Sequence, residues 1–288
     1  MAEAALLCPP PALRMGLTYD LPIEVYHGDT TSVSKSSLDD LERSPWHYWS
    51  LHLAPGRPAR EATPQMQAGT LAHCAILEPQ ALDARYVVGP DVDHRTKAWK
   101  EWLATLPPGR EAIDAAQLAT AQAQAKAVRA HPELARALSD GRAEVSARWV
   151  DEATGVVCRC RPDWVWPVDA FGVVLVDVKT CPDASPRGFA RSVAQWRYHV
   201  QAALYSDGFE AASGLQVHAF VFAAIENKYP FGVAAYTLLD EDLERGRRAY
   251  RRNLAIYAEC RRTDTWPGYP GTVQEIGLPR WATFEGDD

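Results

Sequence analysis

Nothing in this chain is long and apolar enough to cross a membrane as a helix, which takes about 20 consecutive, mostly apolar residues. The opening stretch, residues 1–11, holds Glu3, no basic cluster and only a short apolar piece. It lacks the build of a secretory signal and reads as a loose, proline-rich leader. Any C-x-x-C pair is missing too. Cys8, Cys74, Cys158, Cys160, Cys181 and Cys260 are scattered, and no second pair joins Cys158-x-Cys160 to complete a zinc site. We expect reduced, mostly buried thiols in a cytoplasmic protein, and no disulfide framework. Basic charge is not in excess: 30 Lys and Arg face 37 Asp and Glu, a formal net charge of −7. That excludes a body coated in basic residues for indiscriminate nucleic-acid binding, but not a locally basic channel through an acidic body. No internal repeat is visible.

What the chain does have is length and apolar content, 288 residues at 47% hydrophobic, enough for one large domain or a core with decorations. We expect a flexible leader over residues 1–18 and a single domain over 19–288. Within it, residues 30–140 read as a helical part, 141–262 as the core and 263–288 as a proline- and glycine-rich strap carrying Trp281. Residues 19–27 read as an extended lead-in around Pro22. Ser34 is placed to cap a helix bearing Leu38 and Leu41, which Pro45 stops or restarts. Trp46, Tyr48 and Trp49 could stack on bases, but such aromatics more often anchor a core. Residues 53–63 read as a loop, 64–77 as a helix in which Gly69 and Ala72 admit another backbone, and 86–110 as a long loop. Residues 111–139 are helical with an interruption at His131-Pro132.

From Glu144 the period changes. Residues 144–150 and 156–161 read as a hairpin, with Arg161, Pro162 and Asp163 where its second strand ends, and residues 173–178 as a third strand. A helix follows Pro186, carrying Phe189, Val193, Trp196, Val200, Leu204 and Tyr205. Residues 216–225 and 231–238 read as two more strands, and Asp240 as the cap of a long final helix.

The third strand carries the chemistry. Asp177 and Lys179 share one strand face while Val178 points into the core, and Asp163 lies 14 positions (177 − 163) earlier, enough for a strand, a turn and its return. Two carboxylates crowded together repel, and a divalent cation keeps both ionised; a lysine beside them can orient a water or stabilise charge on a phosphate. An isolated D-x-K is more often a surface ion pair. His73 on an apolar helix face is more often a bonded core histidine, unless both carboxylates converge on it. Gln201 and Tyr205, four apart on one helix face, could be a polar partner for a buried tyrosine. Arg245, Arg248 and Arg252 fall at i, i+3, i+7. Such a stripe is usually a solvated face, with DNA phosphate as the second reading.

Taken in order, these pieces resemble the α/β core of the restriction-endonuclease-like PD-(D/E)xK nucleases, with a central mixed sheet flanked by helices and N-terminal helical additions. Pro162-Asp163 followed by Asp177-Val178-Lys179 resembles their signature, Gly69 to His73 the helical histidine motif of the RecB-type branch, and Gln201 to Tyr205 its Q-x-x-x-Y motif. Ser32-x-Ser34, Ser44-Pro45, Glu144, Arg161 to Trp164, Tyr198 to Gly208 and Leu278 to Trp281 narrow the similarity to the nuclease domain of exonuclease VIII (RecE) and its phage relatives.

The resemblance implies a Mg²⁺-dependent exonuclease, with Mn²⁺ able to substitute, that degrades the 5′-ended strand of linear duplex DNA. It also implies a ring-like homotetramer and a partner that anneals the exposed 3′ strand in recombination. It implies His73, Asp163 and Asp177 as metal ligands, with the Val178 carbonyl a further one. Lys179 would act on the attacking water and the phosphate, and Gln201 would orient the water or the backbone. Tyr205 and Arg161 would contact DNA, and Glu144 would hold a second metal through water or brace Lys179. Ser44 stands where some relatives carry an iron–sulfur cysteine, and Cys260 is alone near the end, so no cluster is expected. Rival readings are an endonuclease of the same fold, a catalytically silent DNA-binding subunit, and a hydrolase of small phosphoesters.

Overall fold

The computed structural model describes residues 13–58, 62–93 and 95–278. The proposed leader lies outside the described residues as far as position 12, and so does Trp281. Gly16–Thr18, within the expected leader, is strand β1. The lead-in around Pro22 is not extended: Pro22 caps a short helix, α1 (Ile23–Gly28). Helix α2 (Lys35–Arg43) starts at Ser34, whose hydroxyl accepts from the Ser37 N–H in a reciprocal capping box. Ser44 ends α2 and caps α3 (Pro45–Tyr48), so Pro45 restarts the helix as its first residue. A π-helical turn, Trp49–Leu53, follows. Tyr48 is buried, stacked on Trp266 at 5.6 Å, which supports the core-anchor reading; Trp46 stays half exposed.

Helix α4 (Pro64–Leu77) has its expected bounds, with Thr63 as cap and Pro64 in the first turn. A methyl at Gly69 would meet Thr180 Oγ1 at 3.9 Å, an ordinary contact, so Gly69 is not needed for a close approach, contrary to expectation. Residues 86–110 are not one long loop either. After α5 (Leu82–Arg85) they hold β2 (Tyr86–Val88) and α6 (Lys97–Leu103), and β2 pairs with β3 (Glu111–Ile113). Helices α7 (Ala115–Ala130) and α8 (Pro132–Ala137) meet at His131 as the proline predicted.

Strands β4 (Arg142–Ala143), β5 (Ser146–Val150), β6 (Val157–Cys160), β7 (Trp164–Pro167) and β8 (Gly172–Cys181) come next. β5 and β6 form the expected hairpin, but with β1 they make a separate three-stranded sheet. The 196–197 step breaks the long helix after Pro186 into α9 (Pro186–Gln195) and α10 (Tyr198–Ser213), because Arg197 takes a left-handed φ of 54°. Strands β9 (Gln216–Glu226) and β10 (Val233–Tyr236) and helix α11 (Asp240–Thr263) are the last elements among the described residues. The cap of α11 is Leu239, not Asp240. Asp240, Glu241 and Asp242 fill the first turn, where carboxylates complement the helix dipole.

The central sheet is mixed, in the order β10-β9-β8-β7-β4, with β8 and β9 parallel and the other neighbours antiparallel. β8 is buried on both faces. Leu175 joins the core shared with Val200, Leu204 and Phe222, while Val176 and Val178 join a second core with Leu71, Ala125 and Val128. One face is therefore covered by α10 and the other by α4 and α7, as an apolar central strand requires. Helix α11 crosses α10 so closely that a side chain on Gly246 would strike the His199 carbonyl at 2.1 Å. Cys74, Cys158, Cys160, Cys181 and Cys260 are all free and buried.

Candidate active site and metal centre

Asp163 stands at the entry to β7 and Asp177 on β8, in the antiparallel pair that sets Trp164 opposite Val176. The Val178 N–H donates to Asp163 Oδ2 at 2.7 Å, so one carboxylate is tied to the neighbouring strand's backbone. The imidazole of His73, carried by α4, approaches that same oxygen at 3.5 Å from Nδ1. Glu144 is not a strand residue. It lies in the step between β4 and β5 with a left-handed φ of 55°, its N–H donating to the Asp163 carbonyl at 2.9 Å. A non-glycine residue held there costs of order 1 kcal/mol, and such strain concentrates at functional sites. Arg161 Nε donates to Glu144 Oε2 at 2.7 Å.

The ligand atoms of His73, Glu144 and Asp163 lie within 4.8 Å of one another. Asp177 is outside that group, so the structure substitutes Glu144 for Asp177 in the closest three-residue set. Asp177 is nonetheless adjacent and almost wholly buried, 1% exposed. Its Oδ1 accepts from Gln201 Nε2 at 2.6 Å, and its Oδ2 is in ion-pair contact with the Lys179 ammonium. Among the described residues the lysine is that oxygen's partner, and a carboxylate oxygen can accept more than one. Together with one imidazole and hard carboxylate oxygens, this is the donor chemistry of a divalent-ion site.

The electrostatics fit an incomplete cation count. Burial pushes the Asp177 carboxyl up to about 6, with Asp163 repulsion adding to it and Lys179 opposing it. Burial and then Asp163 raise Glu144 to about 7, against Arg161 and His73. Burial alone would depress Lys179, but Asp177 and Asp163 outweigh it and hold the ammonium above its ordinary value.

The proposed DNA-contacting residues divide. Tyr205 is half-buried, its ring edge-on to Phe220, and burial, then Tyr26, Cys160 and the two aspartates, raise its phenol. It belongs to the wall of the site. Arg161 lies over the Tyr26 ring at 5.5 Å, and its buried Nη1 has no hydrogen-bond partner among the described residues. On α11, Arg245 pairs with Asp242 at 2.6 Å, Arg248 with Glu244 at 3.7 Å, and Arg252 with Glu42 of α2 at 2.5 Å. These are the marks of a solvated, acid-paired face. Sequence reasoning gave no role to Tyr198, whose ring centroid is 4.9 Å from Lys179 Nζ. The signal was available, since Tyr198, Gln201 and Tyr205 share a helix face at i, i+3, i+7.

Residues 34–278 match the family described as PDDEXK-like domain of unknown function (DUF3799). The chain belongs to this family. Its mixed sheet flanked by helices is the PD-(D/E)xK fold. A solved structure of a candidate exonuclease from Eubacterium rectale shares the fold at TM-score 0.63 and 15% identity, over 93% of this chain and 100% of the other. A second, SSO0001, overlaps at TM-score 0.28 and 16% identity, over 48% of this chain and 65% of the other, too little to carry an argument. No curated protein matches the sequence. Among the described residues no helix is long and apolar enough to cross a membrane.

Proposed function

We propose that this DUF3799 protein is a divalent-metal-dependent exodeoxyribonuclease that digests the 5′-ended strand of linear duplex DNA, as the nuclease domain of exonuclease VIII does. The observation that carries the reading is the convergence of His73, Asp163, Asp177, Lys179 and Gln201 from four separate elements on one buried spot. A binding module has no use for such a costly arrangement of charge. His73, Asp163 and Asp177 would hold the ion, Mg²⁺ in the cell with Mn²⁺ able to replace it. Glu144 and the Val178 carbonyl are the remaining candidate ligands. Bound there, the ion supplies Lewis-acid activation of water and neutralises charge on the phosphate.

The chain's own residues do the rest. Gln201 fixes the Asp177 carboxylate through Oδ1, leaving Oδ2 directed at Lys179. Lys179, held as an ammonium, donates to the attacked phosphate and orients water; in the metal-free protein it is a poor base. Arg161 steadies Glu144 and offers its Nη1 to a phosphate oxygen. Tyr205, packed beside the two aspartates, would touch the DNA backbone. A ring-shaped homotetramer that encloses duplex DNA, a single-strand annealing partner, a role in phage-type recombination and a cytoplasmic setting complete the proposal.

The test is digestion of a linear duplex carrying distinct 5′ and 3′ labels, beside a closed circle of the same sequence, in Mg²⁺. Early release of the 5′ label with the circle intact is the expected outcome. A nicked or cut circle makes the protein an endonuclease, and early 3′ release reverses the polarity.

A further inference from the structure

Lys179 is a long, flexible side chain, and among the described residues its ion-pair partner is Asp177. An aromatic ring also stands beside the ammonium. Tyr198, the first residue of α10, sets its ring centroid 4.9 Å from Lys179 Nζ. That ring is itself held in plane. It stacks on Phe222 of β9 at 5.8 Å and lies 6.1 Å from Phe189 of α9, which stacks in turn on Tyr236 of β10 at 5.2 Å. The Tyr236 hydroxyl donates to the Ala184 carbonyl at 2.6 Å and anchors the far end. The left-handed turn at Arg197 aims the start of α10 at β8, and ion pairs from Arg197 to Asp39 at 3.2 Å and Glu42 at 3.3 Å fasten that turn.

From this geometry we infer that Tyr198 is a positioning residue: its π face holds the Lys179 ammonium in the rotamer that meets Asp177 and, on the nuclease reading above, the scissile phosphate. The electron-rich face of a tyrosine attracts a desolvated cation, and this ring is in contact with both Phe222 and the Lys179 ammonium. On this inference the working part is the ring and not the phenol hydroxyl. The contact depends on the ring quadrupole, so it differs in kind from the apolar packing that the same side chain gives the core.

The experiment separates the two. Position 198 is filled with Tyr, Phe and progressively fluorinated phenylalanines, which keep shape and apolar area while draining the ring face of charge. Leucine serves as the truncation. Two quantities are read: the NMR ring-current shift and order of the Lys179 ε-methylene, and kcat and KM on linear duplex. Tyr198→Phe is expected to match wild type within about twofold, and the most fluorinated ring to lower kcat about tenfold with KM unchanged, as for most of a buried cation–π contact. The Lys179 ε-methylene should lose order in step along the series. Lysine order unchanged across the series overturns the inference, as does a leucine variant whose ε-methylene keeps the wild-type shift. Wild-type protein that orders Lys179 as described yet cleaves no DNA sinks the nuclease reading alone, since the NMR series still decides the positioning role.

Discussion

Asp163→Asn is expected to lower DNA cleavage about a thousandfold or more, the scale of losing a metal ligand and the charge it neutralises, while the metal-free protein stays folded. The substitution keeps size and shape. The structure gives the new amide an acceptable pose, with its oxygen taking the Val178 N–H in place of Asp163 Oδ2. The cost is twofold: the oxygen that also faces His73 loses its share of the negative charge, and the other oxygen, Oδ1, becomes an N–H donor that no cation can use. Removing one of the crowded carboxylates also relieves Glu144 and Asp177, both of which Asp163 pushes upward. The variant without metal should therefore melt at or above the wild-type temperature. Cleavage assays, calorimetric metal titration and thermal melts in EDTA check the three parts. Near-normal cleavage contradicts the assignment, and a collapse of the metal-free fold makes Asp163 a structural residue.

Lys179→Met is expected to cost both cleavage and stability, the second by about 3 kcal/mol near neutral pH, the scale of breaking a buried ion pair from one side. Asp177 is 1% exposed and would keep only the Gln201 hydrogen bond. The pH dependence has a definite sign. The Asp177 carboxyl sits at about 6 in the folded chain, above its ordinary 3.8, so the folded state holds that proton more tightly than the unfolded state. The stability this provides is fully present below about pH 4 and is lost as pH rises through the folded value. Without Lys179 the ionised form loses its main stabiliser, so the variant's deficit should be small in acid and grow towards neutrality. Adding Asp177→Asn should restore most of the stability and none of the cleavage. Urea unfolding of the metal-free single and double variants at pH 4.5 and 8 checks this; equal deficits at both, or no rescue, contradict it.

How far the sequence announced this arrangement varies by element for physical reasons. Helix α4 was legible with its observed bounds because Thr63, Pro64 and an apolar face all point to the same start. The apolar run of β8 and the alternation placing Asp177 and Lys179 on one face were equally plain, and so the convergence with Asp163, His73 and Gln201 could be expected. Glu144 was harder. Its position between two different sheets comes from a left-handed residue that no glycine marks, and the period simply extends the strand through it. Arg197 breaks a helix in the same unmarked way, which hid both the turn and the aim of Tyr198. The acid pairing of the arginine stripe on α11 was hard to read for another reason. Its acidic partners come partly from its own helix at i−3 and i−4 and partly from Glu42, more than 200 positions away.

The central claim is that this buried set of carboxylates, imidazole and lysine hydrolyses DNA only with a divalent ion in place. The direct measurement is cleavage of linear duplex DNA by protein first dialysed against EDTA, followed as Mg²⁺ or Mn²⁺ is added back. The account predicts no product before addition and a saturable rise afterwards. Cleavage that persists in EDTA, or none with any divalent ion, would contradict it.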